Sequence, residues 1–150
     1  MDASDKHTVL FLCGSNSCRS QMAEGWARRV GLDLVDVYSA GISRKNVDPR
    51  AIAVMAEVGV DISGQSSKTI SDLPIERFDF VITLCDHANE ECPYFNEGGG
   101  RRLHRAFEDP PSLAASANNE EEIMDHYRRI RDEIKVFVEG FLGGVVGCEV

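Results

Sequence analysis

The sequence predicts an α/β fold, a four-stranded and mostly parallel sheet flanked by helices. Two observations predict it. Short apolar runs lack the polar alternation of a half-exposed strand, and helical periodicities separate those runs along the 150-residue chain. Crossovers of this kind are right-handed and leave the strands parallel.

Thr8-Val-Leu-Phe-Leu-Cys13 is the first run and reads as a strand buried on both faces. Met22, Ala23, Trp26 and Val30 then recur at helical spacing over residues 20–30. Residues 35–40 form a second short strand, closed by Gly41. Pro49 opens a second helix, because the first turn has no partner for the N–H that proline lacks. Ile52, Met55 and Val58 give that helix its stripe, and Gly59 stops it.

Phe78-Asp-Phe-Val-Ile-Thr-Leu-Cys85 is the third and strongest strand. Residues 86–100 are polar and end in Gly98-Gly99-Gly100, which predicts a long mobile loop. A fourth strand over residues 102–107 ends before Asp109-Pro110-Pro111. Ile123, Tyr127, Ile130, Ile134, Phe137 and Phe141 step by 4, 3, 4, 3 and 4 through a final helix. Glu120, Glu121 and Glu122 stand at its start, where they favour the helix dipole.

Hydrophobic residues make up 43% and charged residues 27%, which excludes a disordered chain and a membrane-embedded one. No apolar run approaches the roughly 20 residues that span a bilayer, and Met1 to Thr8 lacks the apolar core of a secretory signal. One domain over residues 1–150 is expected. Sixteen basic against 25 acidic residues give −9, which disfavours nucleic acid and anionic membrane surfaces as partners. An anionic substrate therefore needs a local feature to attract it. The five cysteines at 13, 18, 85, 92 and 148 are odd in number, so a reduced, cytoplasmic protein is expected. Cysteines with a purpose there are metal ligands, nucleophiles or redox relays.

Ligands of parallel α/β sheets bind beyond the carboxyl ends of the strands. Cys13 ends strand one, Cys85 ends strand three and Asp109 follows strand four, so the topology brings all three to one edge. Strand one runs into Cys13-Gly-Ser-Asn-Ser-Cys-Arg19-Ser20. Small residues let successive N–H groups turn inward as a nest for a tetrahedral oxyanion, and the next helix points its positive end there. Gly14, Ser15, Asn16, Ser17, Cys18, Arg19 and Ser20 are thus the candidate binding residues. Arg19 offers a planar fork for two oxygens, the same field favours the Cys13 thiolate, and Ser20 can donate to it. The cysteine-to-arginine spacing is weakly specific alone; the strand before it and the helix after it make it specific.

The stretch from Cys13 through Trp26 resembles the thioredoxin-coupled arsenate reductases, which share the low-molecular-weight tyrosine phosphatase fold. Val37-Tyr-Ser-Ala-Gly41, Asp61-Ile-Ser63, Val81-Ile-Thr-Leu-Cys85, Cys92-Pro93 and Phe107-Glu-Asp-Pro110 match in the same order. The resemblance implies a four-stranded parallel sheet flanked by helices. It also implies a mechanism: Cys13 attacks arsenic, Asp109 helps water leave, and Cys85 attacks Cys13 to release arsenite. Cys92 then attacks Cys85, and thioredoxin reduces the resulting Cys85–Cys92 disulfide. Each disulfide needs Cα atoms about 4.4–6.8 Å apart, so the segment holding Cys92 has to rearrange. Arsenate and thioredoxin are the implied partners of a monomer with no bound organic cofactor.

A phosphatase of the same fold needs only Cys13, Arg19 and Asp109 and is the alternative enzyme. A cysteine-based metal or redox sensor is the non-enzyme rival. Cys13, Cys18, Cys85, Cys92 and His87 could be zinc ligands, but their separations are not those of tight structural pairs. Cys18 reads as structural or auxiliary and Cys148 as a bystander, and surface positions suffice for His7, His104 and His126.

Two positions depart from the families resembled. Some members hold potassium with asparagine, glutamate, serine and aspartate; the first three fall on Asn16, Glu24 and Ser39, but the aspartate falls on Lys68. A lysine ammonium there would replace the cation, so potassium-independent catalysis is expected. The Asp-Pro pair of the phosphatases is usually followed by tyrosine, whereas Pro111 and Ser112 follow here. Losing that aromatic wall favours a small inorganic oxyanion, with weak phosphatase activity remaining.

Overall fold

The computed structural model describes residues 7–31, 34–75, 77–91 and 101–146. Its elements run β1 (His7–Cys13), α1 (Arg19–Gly31), β2 (Val35–Gly41), α2 (Pro49–Glu57), β3 (Phe80–Thr83), α3 (Asp86–Glu91), β4 (Arg101–His104), α4 (Pro110–Ala115) and α5 (Glu120–Val146). The sheet order is β2-β1-β3-β4 and every pairing is parallel. Cys13 stands opposite Gly41, Leu12 opposite Thr83, and Thr83 opposite His104, so the carboxyl ends form one edge.

Neighbours on both sides explain the unbroken apolar run of β1. Val9, Leu10, Phe11 and Leu12 are fully buried, as is Ile82 of β3. Truncating one of the large ones to alanine costs about 2–5 kcal/mol. Helix α5 packs on α1, α2 and α4 and buries Tyr127, Ile130 and Ile134, with Val138 and Leu142 extending the stripe. The Trp26 indole N–H donates to the Arg131 carbonyl at 3.1 Å, tying α1 to α5. Asp48 caps α2 by accepting the Arg50 N–H at 2.9 Å, and Gly59 ends it in the left-handed region at φ 81°. No helix among the described residues is long and apolar enough to cross a membrane.

Four expectations are corrected. Strand β3 begins at Phe80, because at Asp79 side chains replace the backbone pairing with β1: its carboxylate accepts the N–H and hydroxyl of Thr8 at 2.8 and 3.3 Å, and its own N–H donates to Thr8 Oγ1 at 2.9 Å. Strand β4 ends at His104, although Arg105 and Phe107 still donate to Thr83 and Leu84 of the β3 strand line. Residues 86–91, expected as loop, form α3: six residues are too few for a periodicity, yet Ala88, Glu90 and Glu91 are good helix formers. Residues 92–100 of that expected loop, with Cys92, lie outside the described residues. Finally, Val30 is 36% exposed, because the last turn of α1 presents Gly31 to Val35 and Leu142.

Candidate active site

The loop between β1 and α1 is built by giving away its carbonyls. Ile42, Ser43, Lys45 and Asp48 donate their N–H groups to the carbonyls of Cys13, Gly14, Ser15 and Ser17 at 3.3, 3.0, 3.1 and 2.9 Å. Gln21 Nε2 donates to the Asn16 carbonyl at 3.0 Å, and the Met22 N–H to that of Cys18 at 2.9 Å. With the carbonyls drawn outward, the N–H groups of residues 14–18 donate to nothing among the described residues. Such an array is an anion nest.

Asn16 makes the turn possible. It is the one non-glycine residue with positive φ among those described, at 51°, and it is fully buried. Its side chain is saturated. Oδ1 accepts from Gln21 Nε2 at 2.9 Å and from the Lys68 N–H at 2.7 Å. Nδ2 donates to Ser20 Oγ at 2.8 Å and Ser39 Oγ at 3.0 Å. Ser20 Oγ in turn lies 2.9 Å from Cys13 Sγ. The hydroxyl accepts from Asn16 and its one proton can go to the sulfur, as a Cys13 thiolate would require.

The same network closes on Glu24, which is 4% exposed. Ser39 donates to its Oε1 at 2.5 Å, and Arg28 Nε and Nη2 both reach its Oε2 at 2.8 Å. Lys68, expected to supply a charge here, sends its ammonium to the Ser66 carbonyl instead. The counter-charge is Arg28, one helical turn after Glu24. Asn16, Glu24 and Ser39 thus spend their oxygens on one another and on N–H groups, and this donor set does not fit a cation. Spacing could have found the pair, since residues four apart on a helix meet.

Arg19 joins the loop to the segment after β4. Its Nη1 donates to the Phe107 carbonyl at 2.8 Å, and its Nη2 lies 3.2 Å from Asp109 Oδ1. Its Nε is buried and finds no hydrogen-bond partner among the described residues, which is costly unless a ligand supplies one. Asp109 Oδ2 accepts the Ser112 hydroxyl at 2.7 Å. Cys85 lies beyond β3 at 8% exposure and stands just before α3, where its Sγ accepts the Ala88 N–H at 3.4 Å.

His104 corrects a further expectation. It is no idle surface residue: its ring nitrogens reach Thr83 Oγ1 at 2.8 Å and Asp86 Oδ1 at 2.9 Å, pinning the start of α3 to β4. His7 likewise packs edge-on against Phe80 at 5.8 Å and lies 3.9 Å from Asp79. Cys18 is buried, and burial above all, then the Asp48 carboxylate, pushes its thiol well up from the ordinary range. Tyr127 donates to Asp48 Oδ2 at 2.5 Å, and burial raises its hydroxyl as well. Among the described residues, no three histidine, cysteine or carboxylate groups gather to hold a metal, His87 included. Cys92 and Cys148 fall outside them.

A family model of low molecular weight phosphotyrosine protein phosphatases matches residues 8–146, from β1 through α5. The chain belongs to that family. Within it, arsenate reductase of Halalkalibacterium halodurans is 44% identical over 137 residues, which are 91% of this chain and 96% of that protein. A solved structure described as an arsenate reductase in the phosphate binding state superposes with TM-score 0.72 at 34% identity, covering 92% of this chain and 98% of the other. A thioredoxin-dependent arsenate reductase of Corynebacterium glutamicum superposes with TM-score 0.65 at 27% identity, covering 92% of this chain and 64% of its own. Within the phosphatase fold, then, these similar proteins are reductases.

Proposed function

We propose that this chain reduces arsenate to arsenite by a cysteine relay recharged by thioredoxin. The observation that carries the reading is the nest itself: the N–H groups of residues 14–18, beside Arg19, donate to nothing among the described residues, and Ser20 Oγ lies 2.9 Å from Cys13 Sγ. The relatives' names narrow the oxyanion to arsenate.

In the first step Cys13 thiolate forms a sulfur–arsenic bond, and one arsenate oxygen leaves as water with a proton from Asp109. Cys85 thiolate then attacks Cys13 Sγ. A disulfide forms, the sulfur–arsenic electron pair passes to arsenic, and As(V) departs as As(III) in arsenite. Cys92 thiolate attacks Cys85, which frees Cys13 and moves the disulfide to Cys85–Cys92. The thioredoxin dithiol returns two electrons to that pair. The chain does this as a monomer without a bound organic cofactor, and its need for reduced thiols suits the cytoplasm.

The test follows NADPH oxidation with thioredoxin and thioredoxin reductase, with and without arsenate. Arsenate-dependent oxidation that disappears in Cys85→Ser supports the relay. A Cys92→Ser variant that keeps turning over with thioredoxin refutes it. Rapid aryl-phosphate hydrolysis with no arsenate-linked oxidation, either with thioredoxin or with glutaredoxin and glutathione, would identify a phosphatase instead.

A further inference from the structure

Asp109 occupies the N-cap of α4, and its side chain accepts none of that helix's N–H groups. Pro110 and Pro111 have no N–H to offer, so the carboxylate is left to other donors. It is held from two sides, Oδ1 by Arg19 Nη2 at 3.2 Å and Oδ2 by the Ser112 hydroxyl at 2.7 Å. From this we infer that Ser112 is a positioning residue, which fixes the carboxyl so that Oδ1 carries the transferable proton. The inference rests on the proposed role of Asp109 as the acid.

A carboxyl group has two oxygens, and only one can face the leaving oxygen. Oδ1 is on the side of Arg19, hence on the side of the anion loop. A hydroxyl that donates to Oδ2 keeps that atom an acceptor when the carboxyl is protonated, so the proton is directed to Oδ1. An oxyanion in the nest competes for the Arg19 fork, whose buried Nε has no other partner among the described residues. Once the fork turns to the oxyanion, Ser112 is the contact that still orients Asp109. The other ionisable groups near it do not take this part. Cys18 is held neutral by burial, and Glu108 is engaged by Arg129 at 2.8 Å from α5.

The experiment measures arsenite released in a single turnover by pre-reduced protein at saturating arsenate, so no external reductant enters, beside phosphate affinity by calorimetry. Removing the hydroxyl misdirects the proton and leaves the nest intact. Ser112→Ala is therefore expected to release arsenite at about one-fifth to one-tenth of the wild-type rate, with phosphate affinity within about twofold of wild type. Ser112→Thr, which retains the hydroxyl, restores the rate. Ser112 is exposed, so thermal midpoints of both variants stay near wild type.

A Ser112→Ala rate within about twofold of wild type, a phosphate affinity lost in step with the rate, or a threonine variant that restores nothing overturns the inference. Asp109→Asn separates the two levels. A loss of about tenfold or more there, with a Ser112→Ala rate near wild type, removes only the role of Ser112. A loss of less than about tenfold in Asp109→Asn removes the acid role and this inference together.

Discussion

Ser20 Oγ stands between Asn16 Nδ2 at 2.8 Å and Cys13 Sγ at 2.9 Å, accepting from the first and placed to donate to the second when the sulfur is a thiolate. Hydrogen bonds to charged groups are worth about 1.5–3 kcal/mol, so Ser20→Ala is expected to slow Cys13 alkylation at pH 7 about tenfold or more. Arsenite release in a single turnover falls in step. Iodoacetamide labelling followed by peptide mass spectrometry reads the first effect; an unchanged rate would mean that the nest alone holds the thiolate.

Gly41 ends β2 where the anion loop passes closest. A Cβ there would lie 2.6 Å from the Asn16 nitrogen, 2.7 Å from the Ser15 carbonyl carbon and 2.5 Å from the Ser43 carbonyl oxygen. All three are backbone atoms and cannot swing aside as a side-chain end would. Gly41→Ala is expected to cost about 1–3 kcal/mol and to weaken oxyanion binding by an order of magnitude or more. Phosphate titration by calorimetry and a urea melt test the two parts.

Arg28 is the sole cation contacting the Glu24 carboxylate among the described residues. Arg28→Ala leaves that carboxylate buried without a counter-charge, at an expected cost of about 1–2 kcal/mol in chemical denaturation. With the charge built in, exchanging sodium for potassium at fixed ionic strength leaves the wild-type rate unchanged. A large gain with potassium would show that Arg28 yields to the ion.

Cys18 makes stability depend on alkaline pH. Its folded thiol is held up by burial and Asp48, while in the unfolded chain it titrates near about 8.5. A group raised on folding contributes fully below its unfolded value, and that contribution is lost as pH climbs beyond it. The urea midpoint is therefore expected to fall between pH 8 and 10, and to fall less steeply in Cys18→Ala. Parallel slopes would assign the decline to other groups, Tyr127 first among them.

Sequence patterns carried the strands, the long helices and the loop, because each leaves a periodicity or a cluster of small residues. They carried less of what depends on one side chain choosing a distant partner. His104 gave no signal, since its partners Thr83 and Asp86 belong to other elements and meet it only through the β3–β4 register. Position in the sequence suggests a charge role for Lys68, but its long side chain turns to Ser66 while its backbone N–H meets Asn16. Helices α3 and α4 are too short to show a stripe, and Pro110-Pro111 read as an end when it is a first turn.

The anion loop is shaped before any ligand arrives, because residues 42–48 hold its carbonyls and the buried amide of Asn16 locks its turn. A socket finished at folding needs no ordering when it fills, and it measures only size, charge and tetrahedral outline. Phosphate shares all three with arsenate, so it is an expected competitive occupant of the same seat. Discrimination between the two elements therefore falls to the step after capture. In the proposed reaction arsenic accepts sulfur and then two electrons, whereas phosphorus keeps its oxidation state and leaves as it came.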